Sequence, residues 1–156
     1  MKLSQKAKNL AILAHGHQMR RGGQEPYVNH PIRVAEALQK LDVPDHVVAA
    51  AYLHDIIEDT QVTYADLFHA GFDDYTTDLV QLLSKQPGES NQHYIQRLID
   101  SQNRWAMLIK IYDINDNLVI DPEHLWEGWE TASIRYVKNR VLLINACNAL
   151  KGERDA

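Results

Sequence analysis

The sequence predicts an all-α fold, and three observations predict it. Apolar residues recur at helical spacing through most of the 156-residue chain. Only five Pro and seven Gly interrupt it, and no low-complexity run or internal repeat is visible. A hydrophobic share of 45% at this length is enough for a core of ordinary domain size, so one domain over residues 1–156 is the expectation.

The first segment, about residues 3 to 20, carries Leu10, Leu13, Ala14 and His17 at helical spacing and runs into the basic, glycine-containing loop "RRGGQEPY". "NHPIRVAEALQKL" restarts a helix, with Asn29 as its cap, Pro31 in the first turn, and Ile32, Val34, Ala35 and Leu38 as apolar positions. "DVPD" stops it. The next helix, from about Pro44 to Asp59, has almost no polar face through Val47–Ala51 and reads as the enclosed, central helix. "VTYADLFHAGF" and "YTTDLVQLLSK" read as two shorter helices, "QPGESNQ" as a loop, and about Gln92–Ser101 as a surface helix. "NRWAMLIKIYDINDNLVI" is a second helix through the core and carries Asp113 inward. The last helix, about Pro122 to Leu150, places Trp126, Trp129, Ile134, Val137, Val141, Ile144 and Leu150 on a stripe read as packing.

Composition narrows the function classes. A formal charge of −5 argues against nucleic-acid binding through a broad basic face. It leaves open an anionic small molecule, if a cation and a few local Arg or Lys residues reverse the field at the pocket. The N-terminal apolar stretch is too short for a secretion signal or membrane span, so no membrane association and a cytoplasmic location are expected. Cys147, the single cysteine, lies in an apolar pattern and reads as core. Oligomeric state is not legible.

The chemistry concentrates in "AAYLHDIIEDT", where His54, Asp55, Glu58 and Asp59 fall among apolar residues with no Lys or Arg beside them. On a continuous helix His54 and Glu58 share a face and Asp55 and Asp59 form the adjoining stripe. Three clustered carboxylates repel one another in a low dielectric, and a divalent cation resolves the conflict. A helix end facing water is the bland alternative and stays open for "HDxxED" alone. His30 and Asp113 shift the balance, because His30, His54, Asp55 and Asp113 form a mixed imidazole and carboxylate set suited to Mn²⁺, Fe²⁺ or Zn²⁺.

The order His, then His-Asp, then Asp resembles the HD superfamily of metal-dependent phosphohydrolases. More narrowly, "AHGHQMRRGGQEPYVNHPIRVAEAL", "AAYLHDIIEDT" and "LIKIYDINDNL" resemble blocks of the RelA/SpoT-type alarmone hydrolases and their small single-domain, Mesh-type members, over about residues 7–119. The resemblance implies an HD-domain helical bundle. It implies that His30, His54, Asp55 and Asp113 hold one Mn²⁺ or another divalent ion, and that Glu58 and Asp59 position and deprotonate the attacking water. The implied reaction removes the 3′-pyrophosphate of (p)ppGpp, giving GDP or GTP and pyrophosphate. Arg20 and Arg21 match a basic pair beside the nucleotide, with a solvated loop as their alternative reading; Asn117 matches a nucleotide contact, and Tyr27, Ser84 and Lys85 occupy comparable neighbourhoods.

Departures accompany the match. "KIYDINDN" stands where the family carries a run close to "KLADRLHN", and "LLSK" where "GVTK"-like segments are common. A phosphohydrolase acting on another nucleotide or an NADPH-like phosphate, and an inactive nucleotide-binding module, are therefore the alternatives. His15 and His17, two apart, point to different sides of a helix, with His15 packing near the site. His46, His69, His93 and His124 read as surface residues.

Overall fold

A computed structural model describes residues 1–23, 25–119 and 125–155 of the chain. Among these, the order is α1 (Leu3–His15), α2 (Asn29–Gln39), α3 (Asp45–Leu53), α4 (Ile56–Asp59), α5 (Tyr64–His69), α6 (Asp74–Leu83), α7 (Asn91–Asp100), α8 (Arg104–Asn117) and α9 (Trp129–Asp155). The fold is all-α; the one extended feature in the described residues is an isolated antiparallel bridge between Met19 and Pro26.

Two compact units are present, Met1–Lys85 and Gln86–Ala156. In the first, α3 packs against α1, α2 and α6. Every residue from Val47 to Leu53 is buried, as a helix without a polar face requires. The Asp45 carboxylate takes the Ser4 backbone N–H at 3.1 Å and so ties the starts of α3 and α1 together. In the second unit, α7 and α8 pack against α9 and each other. Tyr94, Ile95 and Leu98 form the buried face of α7.

Polar starts follow ordinary capping chemistry. Thr63 and Asp66 form a reciprocal capping box on α5, and Asp73, Ser90 and Asn103 side chains accept backbone N–H groups at the starts of α6, α7 and α8.

Four expectations are corrected. α1 stops at His15 rather than near residue 20, because Gly16 turns the chain at φ 52°. Asn29 is the first helical residue of α2 and Val28 precedes it, so Asn29 does not cap; its side chain donates to Glu25 at 3.3 Å instead. The helix expected from Pro44 to Asp59 is broken at His54–Asp55 into α3 and the single turn α4. Finally, Ile134, Val137, Val141 and Ile144 are exposed, and the packed face of α9 is marked by Ala132, Asn139 and Leu143. Helical spacing placed the first four on one stripe but could not say that another side of α9 would be buried. Pro122 and His124, used above for the start of the last helix and as a surface residue, lie outside the described residues.

The loop before α7 holds a strongly shifted acid, Glu89. Arg97 donates to both Glu89 oxygens, at 2.9 and 3.0 Å. This fork, helped by the Gln86 N–H and His93, outweighs burial and lowers the Glu89 pKa from 4.5 to about 2. A depressed carboxylate pKa contributes stability above about pH 4.5 that is lost as pH falls toward about 2. With Arg97 partly exposed and screened, the contribution is about 1–2 kcal/mol. Glu89→Gln is expected to lower stability by that amount at pH 7 and by clearly less at pH 3 in urea unfolding; an equal loss at both counts against the ion-pair origin.

Candidate metal centre

The break after α3 builds the site. The Ala51 carbonyl accepts from the His54 backbone N–H at 3.4 Å and lies 2.6 Å from His54 Nδ1. A carbonyl oxygen only accepts, so Nδ1 carries the hydrogen and, in a neutral ring, Nε2 carries the lone pair. That Nε2 lies 3.0 Å from Asp55 Oδ2. His30, at the start of α2, brings its Nε2 to 3.6 Å from the same oxygen. Both rings are buried, at 1% and 2% exposure, and their centroids are 5.3 Å apart at 72°.

A neutral His54 would thus aim a lone pair at a carboxylate oxygen, which is repulsive at this distance in a buried setting. A cation between them removes the repulsion. Donation of the second ring nitrogen to a backbone carbonyl is the arrangement that fixes metal-ligating histidines. The donor atoms of His30, His54 and Asp55 lie within 4.8 Å of one another. The residues therefore fit a divalent ion of the mixed nitrogen and oxygen type.

Tyr27 adds a contact that the sequence reading did not foresee. Its hydroxyl donates to Asp55 Oδ2 at 2.5 Å, and its ring packs 5.1 Å from His15 and 5.8 Å from His30. Tyr27, put forward as a substrate contact, thus orients the aspartate. The only sequence signal was its place three residues before His30.

Glu58 and Asp59 ride on α4 and, with Gln18 and Thr60, line an open cleft of about 780 Å³. Glu58 Oε1 takes the backbone N–H of Lys85 at 2.5 Å, so the main chain of Lys85, not its exposed side chain, makes this contact. The Asp59 pKa is raised, first by burial of its carboxyl region and then by the charge of Asp55; the Tyr27 hydroxyl, His15 and His54 pull it back in part. A raised acid favours the protonated folded state, so Asp59 costs stability as pH rises through its titration.

Arg21 shares a smaller cleft of about 420 Å³ with Gln18, Met19, Tyr27 and Asp59. Arg20 points elsewhere, with Nε 3.6 Å from Glu25 Oε1. Glu25 is the anchor of this loop: Arg33 donates to both its oxygens at 2.7 and 2.8 Å, and its pKa is lowered chiefly by that bond. Ser84 is buried, with Oγ donating to the Val80 carbonyl at 2.7 Å.

In the second unit Asp113 sits on α8 at 4% exposure. Lys110 Nζ lies 2.5 Å from its Oδ2, and Asn117 donates to its Oδ1 at 3.4 Å. Asn117 thus shares a helix face with Asp113, as its spacing predicts. His15 and His17 diverge, one buried and one exposed, and His69 and His93 are exposed, while His46 is half-buried. Cys147 is half-buried, with burial raising its pKa.

An all-helical chain with a histidine–aspartate cluster at a helix break defines the class. The chain belongs to the HD domain family, whose profile matches residues 7–111. Among curated proteins it is 39% identical over 114 residues to the bifunctional (p)ppGpp synthase/hydrolase SpoT of Escherichia coli K12, covering 67% of this chain and 16% of that protein. It is 32% identical over 120 residues to the guanosine-3′,5′-bis(diphosphate) 3′-pyrophosphohydrolase of Aquifex aeolicus, covering 73% of this chain and 17% of that one. The chain thus spans about a sixth of the length of these relatives. A solved metazoan structure, titled as an ortholog of SpoT that hydrolyzes ppGpp and plays a role in starvation responses, superposes with TM-score 0.72 and 23% identity, covering 99% of this chain and 96% of that one. That likeness establishes a shared fold.

Metal binding to the folded state alone stabilises it by mass action, by about 2.7 kcal/mol at a hundredfold excess over Kd. For a chain of this size the Tm rises by roughly 5–10 °C. Mn²⁺ is expected to give such a rise, reversed by EDTA and missing in His54→Ala; no rise in the wild type at millimolar Mn²⁺ counts against the centre.

Proposed function

We propose that the chain is a divalent-metal-dependent phosphohydrolase that removes the 3′-pyrophosphate of guanosine alarmones of the (p)ppGpp type in the cytoplasm. The observation that carries the reading is the approach of two imidazole Nε2 atoms to one Asp55 oxygen, with the His54 tautomer fixed by Ala51. Membership of the HD domain family and the activities for which the relatives are named support the choice of substrate.

In this reading His30, His54, Asp55 and Asp113 hold the ion, with Mn²⁺ preferred. When bound, the ion supplies the positive charge that makes a nearby water more acidic and draws in phosphate oxygens. Asp113 enters by the sequence resemblance and by its own setting, a nearly buried carboxylate held by Lys110.

Glu58 and Asp59 then act on the water from the cleft wall. One carboxylate accepts its proton as the oxygen forms a bond to the phosphorus attached to the 3′-oxygen. The bond from that phosphorus to the 3′-oxygen breaks, pyrophosphate leaves, and the proton passes to the ribose oxygen. The raised Asp59 pKa, caused first by burial and then by the Asp55 charge, makes this carboxylate a better proton acceptor than an ordinary aspartate. In this reading Arg20, Arg21, Tyr27, Lys85 and Asn117 would contact the substrate, as the resemblance implies; Arg21 and Tyr27 share the smaller cleft, and Arg20 lies beside Glu25.

A second reading keeps the chemistry and changes the nucleotide. The "KIYDINDN" segment favours it, since Asn115 is engaged by Arg140 of α9 at 2.9 Å, a contact a differently composed run would not make.

Purified protein with Mn²⁺ is expected to release pyrophosphate and GDP from ppGpp, with slower or no release from dNTPs, nucleoside monophosphates and NADPH. Glu58→Gln is expected to lower kcat by about 10²–10⁴ with the Mn²⁺-induced Tm rise kept. Equal turnover of ppGpp and dNTPs favours the second reading. No turnover of any substrate by the wild type leaves only a binding role.

A further inference from the structure

α4 carries both cleft carboxylates, yet it is four residues long. A single turn does not hold itself, because nucleation fixes several residues for one hydrogen bond. Its two closing backbone bonds are Asp59 N–H to Asp55 at 3.0 Å and Thr60 N–H to Ile56 at 3.1 Å. After Asp59 the chain leaves the helix at Thr60, with φ −133° and ψ −179°, so the Asp59 carbonyl points out of the ladder.

Gln18 fills that position from the loop after α1. Its Nε2 donates to the Asp59 carbonyl at 2.7 Å, and its Oε1 lies 3.0 Å from His15 Nδ1. The roles are forced in sequence. A carbonyl can only accept, so the amide nitrogen of Gln18 faces Asp59; its oxygen then faces His15, whose Nδ1 must carry the hydrogen. His15 is 1% exposed, and its Nε2 is buried with no hydrogen-bond partner among the described residues. The single bond that His15 makes through Nδ1 therefore goes to Gln18, and burial of the ring in contact with Tyr27 holds that donor in place. Gln18 also lines both clefts, which share Asp59 as a wall.

We propose that His15 and Gln18 are positioning residues: His15 fixes the amide orientation of Gln18, and Gln18 caps α4 at Asp59, holding the Glu58 and Asp59 carboxylates at the cleft. Neither touches the reacting atoms. The catalytic half of this inference rests on the function proposed above; the structural half does not.

The test separates the two. Gln18→Glu keeps an oxygen for His15 Nδ1–H and replaces the donor to Asp59 by an oxygen, with one added negative charge; His15→Phe adds no charge, keeps a buried ring and removes the orienting bond, so an effect shared by both is not due to the charge. One lost hydrogen bond corresponds to about a fivefold change in a local opening equilibrium. In metal-free protein, amide exchange of Asp59 and Thr60 measured by NMR is expected to speed up about fivefold or more in Gln18→Glu and in the same direction in His15→Phe. Exchange in α3 and the melting temperature serve as controls for global folding. The His15 ring in the wild type is expected to show the Nδ1–H tautomer by ¹⁵N shifts.

With ppGpp and Mn²⁺, both variants are expected to lose kcat by tenfold or more while KM and Mn²⁺ affinity stay within about twofold. Unchanged exchange at Asp59 and Thr60 overturns the cap, as does the Nε2–H tautomer. Mn²⁺ affinity falling in step with kcat overturns the assignment in favour of an effect on the ion's ligands. If the wild type fails to turn over ppGpp, the functional reading fails alone, and the exchange result still decides the cap.

Discussion

The Asp55 carboxylate is the constraint on which the first unit is arranged. One of its oxygens takes the Tyr27 hydroxyl at 2.5 Å and faces His54 and His30 nitrogens at 3.0 and 3.6 Å. These groups come from a loop, a helix start and a helix break. His30 follows the loop that Glu25 pins to Arg33 on α2. His54 follows seven consecutive buried residues of α3, so its place is set by the core itself. Burying such polar groups is costly unless they are paired; the Tyr27 hydroxyl pairs with Asp55, whereas a neutral His54 turns a lone pair toward the same carboxylate, and a divalent cation would resolve that contact.

The break after Leu53 has a consequence for chemistry. A continuous helix would put His54 and Glu58 on one face, with ligand and base carboxylates pointing the same way. Across the interruption, Asp55 stays at the buried cluster while Glu58 and Asp59 of α4 line an open cleft. Groups that bind and groups that move protons need different surroundings, one enclosed and one wet. In the proposed reading, a helix that stops and restarts within two residues provides both.

Much of this was legible in the residues, for reasons that can be named. The central place of α3 followed from its lack of a polar face, and the clustering of His30, His54 and Asp55 from the chemistry of the donor set and the order of the motifs. The break at His54–Asp55 was not legible, because no Gly or Pro marks it; it arises where the His54 ring and backbone both turn to the Ala51 carbonyl. The two roles of Tyr27 and Gln18 were missed for a similar reason. Each depends on a partner far along the chain, Asp55 for one and Asp59 for the other, and periodicity reports only what is three or four residues away. The exposed stripe of α9 misled in the opposite direction, since an apolar row at helical spacing looks the same whether it faces a core or water.

The charge at the clefts bears on how a polyanion can enter at all. The described residues lining the larger cleft include Glu58, Asp59 and Asp66 and no Lys or Arg. Arg20 is held toward Glu25, and Arg21 belongs to the smaller cleft. Phosphate oxygens beside Glu58 and Asp59 would meet like charge in a partly enclosed space, which opposes binding. A divalent cation at the Asp55 cluster reverses the sign of the local field. In the proposed reading, the carboxylates that would repel a nucleotide in the absence of a cation would accept a proton from water in its presence. Net negative charge and the proposed anionic substrate are compatible because the attraction would be local, set by a cation and a few groups around Asp55.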